Sequence, residues 1–211
     1  MKIAIIGATG WIGSTLMNEA LNRDHKVIAI SRGANNIEKQ GVTTHPLDLL
    51  TDGSIKDAVA DADIVIAAIG GRAKSNHEIV ASTAQRLLKE LPKSDVKRLI
   101  WVGGAGSLEV APGVKLVSVP DFPAEYKDEA IAQGQALDVF RNSDSTLDWL
   151  FVSPAAEIFP GERTGIYRVG GEQLLSDDQG NSKISVEDYA VALIDEAEKS
   201  QHHNKRIGVA Y

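Results

Sequence analysis

An α/β fold with a doubly wound parallel sheet follows from three features of this 211-residue chain. Short apolar runs alternate with segments of helical period along most of its length. The apolar runs are near-continuous rather than alternating, as in strands covered on both faces. The chain also opens on a strand, a glycine turn and a helix: Lys2-Ile3-Ala4-Ile5-Ile6, then Gly7-Ala8-Thr9-Gly10-Trp11-Ile12-Gly13, then Leu16, Met17, Ala20 and Leu21 at helical spacing. In that context the three glycines read as a dinucleotide-binding fingerprint, which makes the predicted sheet one of Rossmann type. Gly7 allows the tight turn off the strand, Gly10 lets the backbone approach a pyrophosphate, and Gly13 lets the helix pack on the strand. The free N–H groups and positive dipole end of that helix then face the phosphates. The spacing is Gly-x-x-Gly-x-x-Gly, not the commoner Gly-x-Gly-x-x-Gly, and an ordinary glycine-rich turn is the competing reading.

The later elements follow in order. Lys26 to Ser31 predicts the second strand, and Val42 to His45 a short third strand leading to Pro46-Leu47-Asp48. Ser54 with Asp57 makes a capping pair for a helix through Val59. Asp63 to Ile69 predicts a buried fourth strand. Ser75 with Glu78 predicts the start of a long helix to about Leu91, stopped by Pro92. Arg98 to Val102 is the fifth strand, Pro123 opens a helix to about Arg141, and Asp148 to Val152 is the sixth strand. Ser185 to Asp188 caps a last helix to about Lys199, and Arg206 to Tyr211 is a final strand. Strands and helices alternating in this way imply right-handed crossovers. Nothing marks a linker or a repeat, so residues 1–211 are expected to form one domain. Residues 154–184 form its irregular part, expected as loops and a small hairpin, including Ile166 to Val169, over the C-terminal edge of the sheet on the substrate side. The loop from Gly103 to Phe122 is long, and such loops in compact domains are usually functional or mobile.

Composition narrows the function. Hydrophobic residues make up 43% and charged residues 24%, ordinary for a globular protein. The net charge of −7 argues against nucleic acid as a partner, which needs a basic face. The absence of cysteine excludes disulfides, thiolate metal sites and a cysteine nucleophile. No metal is expected: His202-His203 has no further ligand beside it and is expected to stand in solvent. There is no apolar run of about 18 residues to span a membrane. The N-terminal apolar stretch is too short for an export signal. A cytoplasmic protein is expected. Trp101 and Trp149 are expected in the core, Trp11 over the glycine turn, and His25, His45 and His77 in structural or surface positions.

The second strand ends Ser31-Arg32-Gly33, without the carboxylate that grips the ribose of NAD. Arg32 stands 19 residues past Gly13, near the place of that acid. A guanidinium there suits a 2′-phosphate, with Ser31 adding a hydrogen bond. NADP is therefore expected over NAD, a solvated loop arginine being the alternative. Asp48-Leu49 falls beside the adenine in this architecture, or Asp48 caps the helix that follows. Ala68-Ile69-Gly70-Gly71 ends the fourth strand with small residues that let a ribose and pyrophosphate pass close.

Together these stretches resemble the extended and atypical short-chain dehydrogenase/reductase superfamily. Within it the chain is similar to the NmrA-like, NAD(P)H-binding branch, and most like bacterial proteins called NADH-flavin reductases. The segments that carry the closer likeness are Trp101 to Glu109, Pro120 to Lys127, Pro160 to Gly165 and Ile184 to Ala190. The superfamily's usual catalytic set is a serine after the fifth strand and a Tyr-x-x-x-Lys on the next helix. This chain has Val102-Gly103-Gly104 where the serine would stand, and Glu129 and Gln133 near the tyrosine and lysine positions. Tyr126 and Lys127 are adjacent and point about 100° apart on a helix, so they cannot copy a pair spaced four apart.

The resemblance implies hydride transfer from NADPH to a flavin, quinone or similar flat acceptor, which asks the protein mainly to stack two rings and exclude water. Ser107 and Tyr126 are the candidate catalytic donors to such an acceptor. Pro154-Ala155-Ala156, after the sixth strand, falls where related proteins line the nicotinamide. Two other functions compete. The missing catalytic set suits a non-catalytic NADP-binding redox sensor of the NmrA-like kind. A nucleotide-sugar epimerase or reductase is weakened by the short C-terminal part. The amphipathic helices from Ser75 and Pro123 suit either a core or a homodimer interface.

Overall fold

The computed structural model describes residues 1–32 and 37–211. Its strands are β1 (Lys2–Ile6), β2 (Lys26–Ser31), β3 (Val42–Pro46), β4 (Ile64–Ala67), β5 (Arg98–Val102), β6 (Glu109–Ala111), β7 (Val114–Lys115), β8 (Asp148–Ser153), β9 (Glu157–Phe159), β10 (Arg168–Gly170), β11 (Lys183–Ser185) and β12 (Lys205–Ala210). Its helices are α1 (Trp11–Asn22), α2 (Ile55–Ala58), α3 (Glu78–Glu90), α4 (Ala124–Arg141) and α5 (Val186–Lys199). Eight strands form one sheet in the order β10-β12-β8-β5-β4-β1-β2-β3. Every neighbouring pair is parallel except β10 with β12. The fold is a Rossmann-type α/β sheet, as the apolar runs imply.

Successive side chains of a strand point to opposite faces, and the sheet uses both. Ala4 and Ile6 join a core with α3 and α4 that contains Trp101, Phe140 and Trp149. Ile3 and Ile5 join a second core with α1 and α5 that contains Leu16, Tyr189 and Leu193. Burial on both sides explains why these strands read as unbroken apolar runs. The chain leaves β1 in one direction through β2 and β3 and returns to its other side at β4. Such a reversal opens a crevice at the carboxyl ends of the strands.

Two caps form as the sequence implies. Ser54 Oγ accepts from Asp57 N at 3.1 Å, and Ser185 Oγ from Asp188 N at 3.0 Å. The cap predicted at Ser75 does not form. Ser75 sits in the left-handed region at φ 49° and ends a 3₁₀ turn over Arg72–Lys74, and α3 begins only at Glu78. The Ile166–Val169 piece is not part of a separate hairpin: β10 adds antiparallel to β12 at the sheet edge, while β9 pairs with β11 in parallel. A short hairpin lies instead in the 103–122 loop, as β6 and β7. His203 is exposed as expected and His202 only partly so, but each imidazole has a carboxylate partner. Their Nδ1 atoms lie 2.6 Å from Glu196 Oε1 and 2.9 Å from Asp148 Oδ2, beside the buried Arg98 that donates to the same two carboxylates. Among the described residues no helix is long and apolar enough to cross a membrane.

Candidate functional site

The crevice is a cleft of about 1320 Å³ at the carboxyl ends of β1, β2, β4, β5 and β8. That exceeds the roughly 300–1,000 Å³ of a usual small-molecule pocket. Its floor is the glycine turn. Gly7 has φ 85°, and a Cβ there would lie 2.3 Å from Ala68 O. A Cβ on Gly13 would lie 2.1 Å from Gly7 O, so α1 touches the turn through its missing side chain. Gly10 differs, because a Cβ there would meet nothing nearer than Gly7 O at 3.3 Å. Gly10 is exposed, lines the cleft and is the N-cap of α1. No side chain caps α1, and its first turn holds no acidic residue. This backbone fits a dinucleotide pyrophosphate: open N–H groups, a positive helix end and no Cβ in the way. Thr9, the half-exposed Trp11 and Ile12 also line the cleft. Ala8 does not: it is fully buried in the core beside α1, so its part in the turn is packing.

On one side of the turn, Ser31, Arg32, Asp48 and Leu49 line the cleft. Arg32 is exposed, and among the described residues it has no ion pair. Gly33, next in the chain, lies outside the described residues. Asp48 caps no helix: its Oδ1 accepts from Leu50 N at 3.0 Å in the loop before α2. On the other side stand Ala68, Ile69, Gly70 and Gly71 from the end of β4, with Val102, Gly103 and Gly104 from β5. A Cβ at Gly103 would lie 2.1 Å from the Phe151 ring, so packing in the core forbids a serine there.

Glu129 and Gln133 on α4 line the same wall, and their polar atoms are engaged within the protein. Glu129 Oε2 accepts from Gly71 N at 2.8 Å, Arg72 N at 3.2 Å and His77 Nδ1 at 2.9 Å. Gln133 Oε1 accepts from Trp101 Nε1 at 3.0 Å, and its Nε2 donates to Ile69 O at 2.9 Å and to Glu129 Oε1 at 3.2 Å. The pair ties α4 to the turn after β4 and holds the wall of the cleft.

The two candidate donors part company. Tyr126 lines the cleft, half-exposed, with the Arg72 guanidinium 4.3 Å from its ring centre. Ser107 is buried outside the lining, and its Oγ accepts from the buried Arg206 Nη1 at 3.0 Å. The sequence shows a hydroxyl after β5 but not the arginine that occupies it. Pro154, Ala155 and Ala156 line the cleft beyond β8. The Ala156 N–H already donates to Ser182 Oγ at 3.1 Å, so it is not open to a ligand. The 103–122 loop adds Leu116 and Phe122, and β9 adds Ile158. Arg72 and Lys74 complete the mouth and were missed from sequence, although they directly follow the Ala68–Gly71 motif.

A model of a family described as NAD(P)H-binding matches residues 7–197, nearly the whole chain. The chain belongs to that NAD(P)H-binding family. Solved structures agree. A "Putative exported protein" from Burkholderia pseudomallei is 44% identical, each chain covered in full, with a TM-score of 0.90. A "putative NADH-flavin reductase" from Streptococcus pneumoniae TIGR4 is 36% identical, with 100% and 99% covered and a TM-score of 0.89. A "putative epimerase" from Bacteroides thetaiotaomicron is 37% identical, with 100% and 96% covered and a TM-score of 0.89. The NAD(P)H-binding assignment bears out the resemblance to atypical short-chain dehydrogenases/reductases, and the family match begins at Gly7, the first glycine of the turn.

Proposed function

We propose that the protein is an NADP-dependent oxidoreductase that passes hydride from NADPH to a flavin, quinone or similar flat acceptor. One observation carries the reading: a single cleft is lined by the glycine turn and Arg32 and also by the apolar side chains of Leu116, Phe122 and Ile158. Its volume leaves room beyond one ligand. The family and the streptococcal relative's name point the same way.

The chain's own groups would divide the work. Gly10 and the first turn of α1 receive the pyrophosphate, Arg32 with Ser31 the 2′-phosphate, and Asp48 the adenine edge. The small residues Ala68 to Gly71 and Gly103-Gly104 let the ribose lie close to the backbone. Pro154 and Ala155 wall the nicotinamide. The nicotinamide supplies the hydride when bound. The apolar side chains hold the acceptor against it and exclude water, and the Tyr126 hydroxyl is the donor to an acceptor oxygen or ring nitrogen.

The competing reading, an NADP-binding redox sensor, has one observation in its favour. Glu129 and Gln133 are committed to holding the cleft wall rather than to acid–base chemistry. The same fact weighs against epimerase chemistry at those positions. The deciding measurement is loss of NADPH absorbance with FMN, riboflavin and a simple quinone, repeated with NADH and with Arg32→Ala. Acceptor-dependent loss that prefers NADPH is expected, with the preference falling about tenfold or more in the variant, as for loss of a charged hydrogen bond. Tight NADP binding without turnover on any acceptor would overturn the reductase reading in favour of the sensor.

A further inference from the structure

We infer that the acceptor carries an anionic group, a phosphate or an equivalent anion, and that Arg72 and Lys74 receive it at the mouth of the cleft. The inference rests on the reductase reading above and narrows its acceptor to a charged class.

The first support is the distribution of charge. The chain carries a net −7, so its surface on average repels anions. The cleft lining has three carboxylates, Asp48, Glu129 and Glu157, and three cations, Arg32, Arg72 and Lys74. Each carboxylate has a partner within the protein: Leu50 N on Asp48, three N–H donors on Glu129 Oε2, and Lys183 Nζ at 3.2 Å from Glu157. Among the described residues none of the three cations has an ion pair. Arg72 shows this most clearly. Its backbone N–H donates to Glu129, yet its guanidinium lies over the Tyr126 ring instead of on that carboxylate. A guanidinium engaged by an aromatic ring rather than by a carboxylate keeps its N–H donors uncommitted, and two of them can grip a phosphate in parallel.

The second support is placement. The phosphates of a bound dinucleotide already have receivers: the turn between β1 and α1 for the pyrophosphate, and Arg32 at the end of β2 for a 2′-phosphate. Arg72 and Lys74 follow β4, on the opposite side of β1 from β2. There the Arg72 guanidinium stands against Tyr126 of α4, and Lys74 lines the same cleft as Leu116 and Phe122. Two cations remain at the acceptor end after the cofactor's charges have been matched.

FMN and riboflavin share one ring system and differ by a phosphate, so their ratio isolates that group. The test compares NADPH oxidation with each flavin for the wild type, Arg72→Ala/Lys74→Ala and Arg72→Lys. The wild type should prefer FMN in kcat/KM. The double variant should lose about tenfold of that preference, as for removal of a charged hydrogen bond, and Arg72→Lys should retain part of it. Raising salt should erode the FMN preference in the same direction. An unchanged preference in the double variant overturns the inference. So does a higher KM for NADPH with the flavin ratio intact, because the cations would then serve the cofactor's own phosphates. If neither flavin is turned over, the same pair is titrated by flavin fluorescence against protein saturated with NADP⁺. FMN-selective binding that the double variant abolishes supports the anion site while sinking the reductase reading. Equal binding of the two flavins, or none, sinks the anion site itself.

Discussion

At Gly13 a single methyl group has nowhere to go. Its Cβ would lie 2.1 Å from the Gly7 oxygen and 2.8 Å from the Gly7 carbonyl carbon, and both are backbone, so neither can swing aside. Gly10 is the useful contrast, with its nearest neighbour at 3.3 Å and its open side on the cleft. Gly13→Ala should therefore destabilise the protein by about 1–3 kcal/mol, the usual cost of overpacking, and weaken NADPH binding as well. Gly10→Ala, at the N-cap and 3.3 Å from the Gly7 oxygen, should lower the melting temperature less than Gly13→Ala does while weakening NADPH binding. Thermal unfolding without ligand, paired with an NADPH titration, separates the two. Roles of this kind are legible in sequence because glycine spacing encodes a purely local geometry. Ser107 was not legible for the opposite reason: the atom that decides its fate belongs to Arg206 on β12, brought beside it only by the sheet.

Helix α4 shows how an element far along the chain sets the edge of a strand. Glu129 gathers the N–H groups of Gly71 and Arg72 and the ring of His77 on one oxygen, fixing the turn between β4 and α3. This accounts for the failed cap at Ser75. Ser54, Ser75 and Ser185 each precede an acidic residue by three positions, yet only the first and last cap a helix. The chain around Ser75 is instead drawn toward α4 and closes as a 3₁₀ turn. Local pattern locates most of the strands and helices here, because both faces of the sheet impose the same apolar demand. It misplaces β10, whose three residues gain their structure only from pairing with β12. Glu129→Ala would leave two part-buried donors, Gly71 N and His77 Nδ1, and the exposed Arg72 N–H without their acceptor. It should cost about 1–3 kcal/mol in urea denaturation and weaken NADPH binding by loosening the wall. Glu129→Gln keeps one oxygen for those donors but turns an N–H group toward Gln133, so a smaller loss is expected.

On the scale of the whole molecule, carboxylates hold the irregular 154–184 region onto the layer of α1 and α5. Glu19 on α1 receives Arg163 at 2.7 and 2.8 Å and Arg23 at 2.7 Å, and Arg23 reaches on to Asp195 on α5 at 2.6 Å. Asp188, fully buried at the start of α5, accepts from Thr164 N, Thr164 Oγ1, Gly165 N and the Tyr211 hydroxyl, at 2.6 to 2.8 Å. Burial alone would raise the pKa of each of these acids. The donors outweigh it, so Glu19, Asp188 and Asp195 all lie below their ordinary values, the hydrogen bonds of Thr164, Gly165 and Tyr211 acting at Asp188. The sign of the pH dependence follows. In the unfolded chain these groups take up protons near 3.8 for aspartate and 4.5 for glutamate, while the folded protein resists until lower pH. Their stabilisation is thus fully present above about pH 5 and is lost as pH falls through the depressed folded values. The melting temperature should be nearly flat from pH 7 to pH 5 and drop steeply below pH 4. Asp188→Asn should lower it at neutral pH, by about 3 kcal/mol of stability for the charged hydrogen bonds it gives up, and should shallow the acid limb. Circular dichroism melts of the two proteins across that range supply the check, and parallel acid limbs would show that the acid sensitivity lies elsewhere.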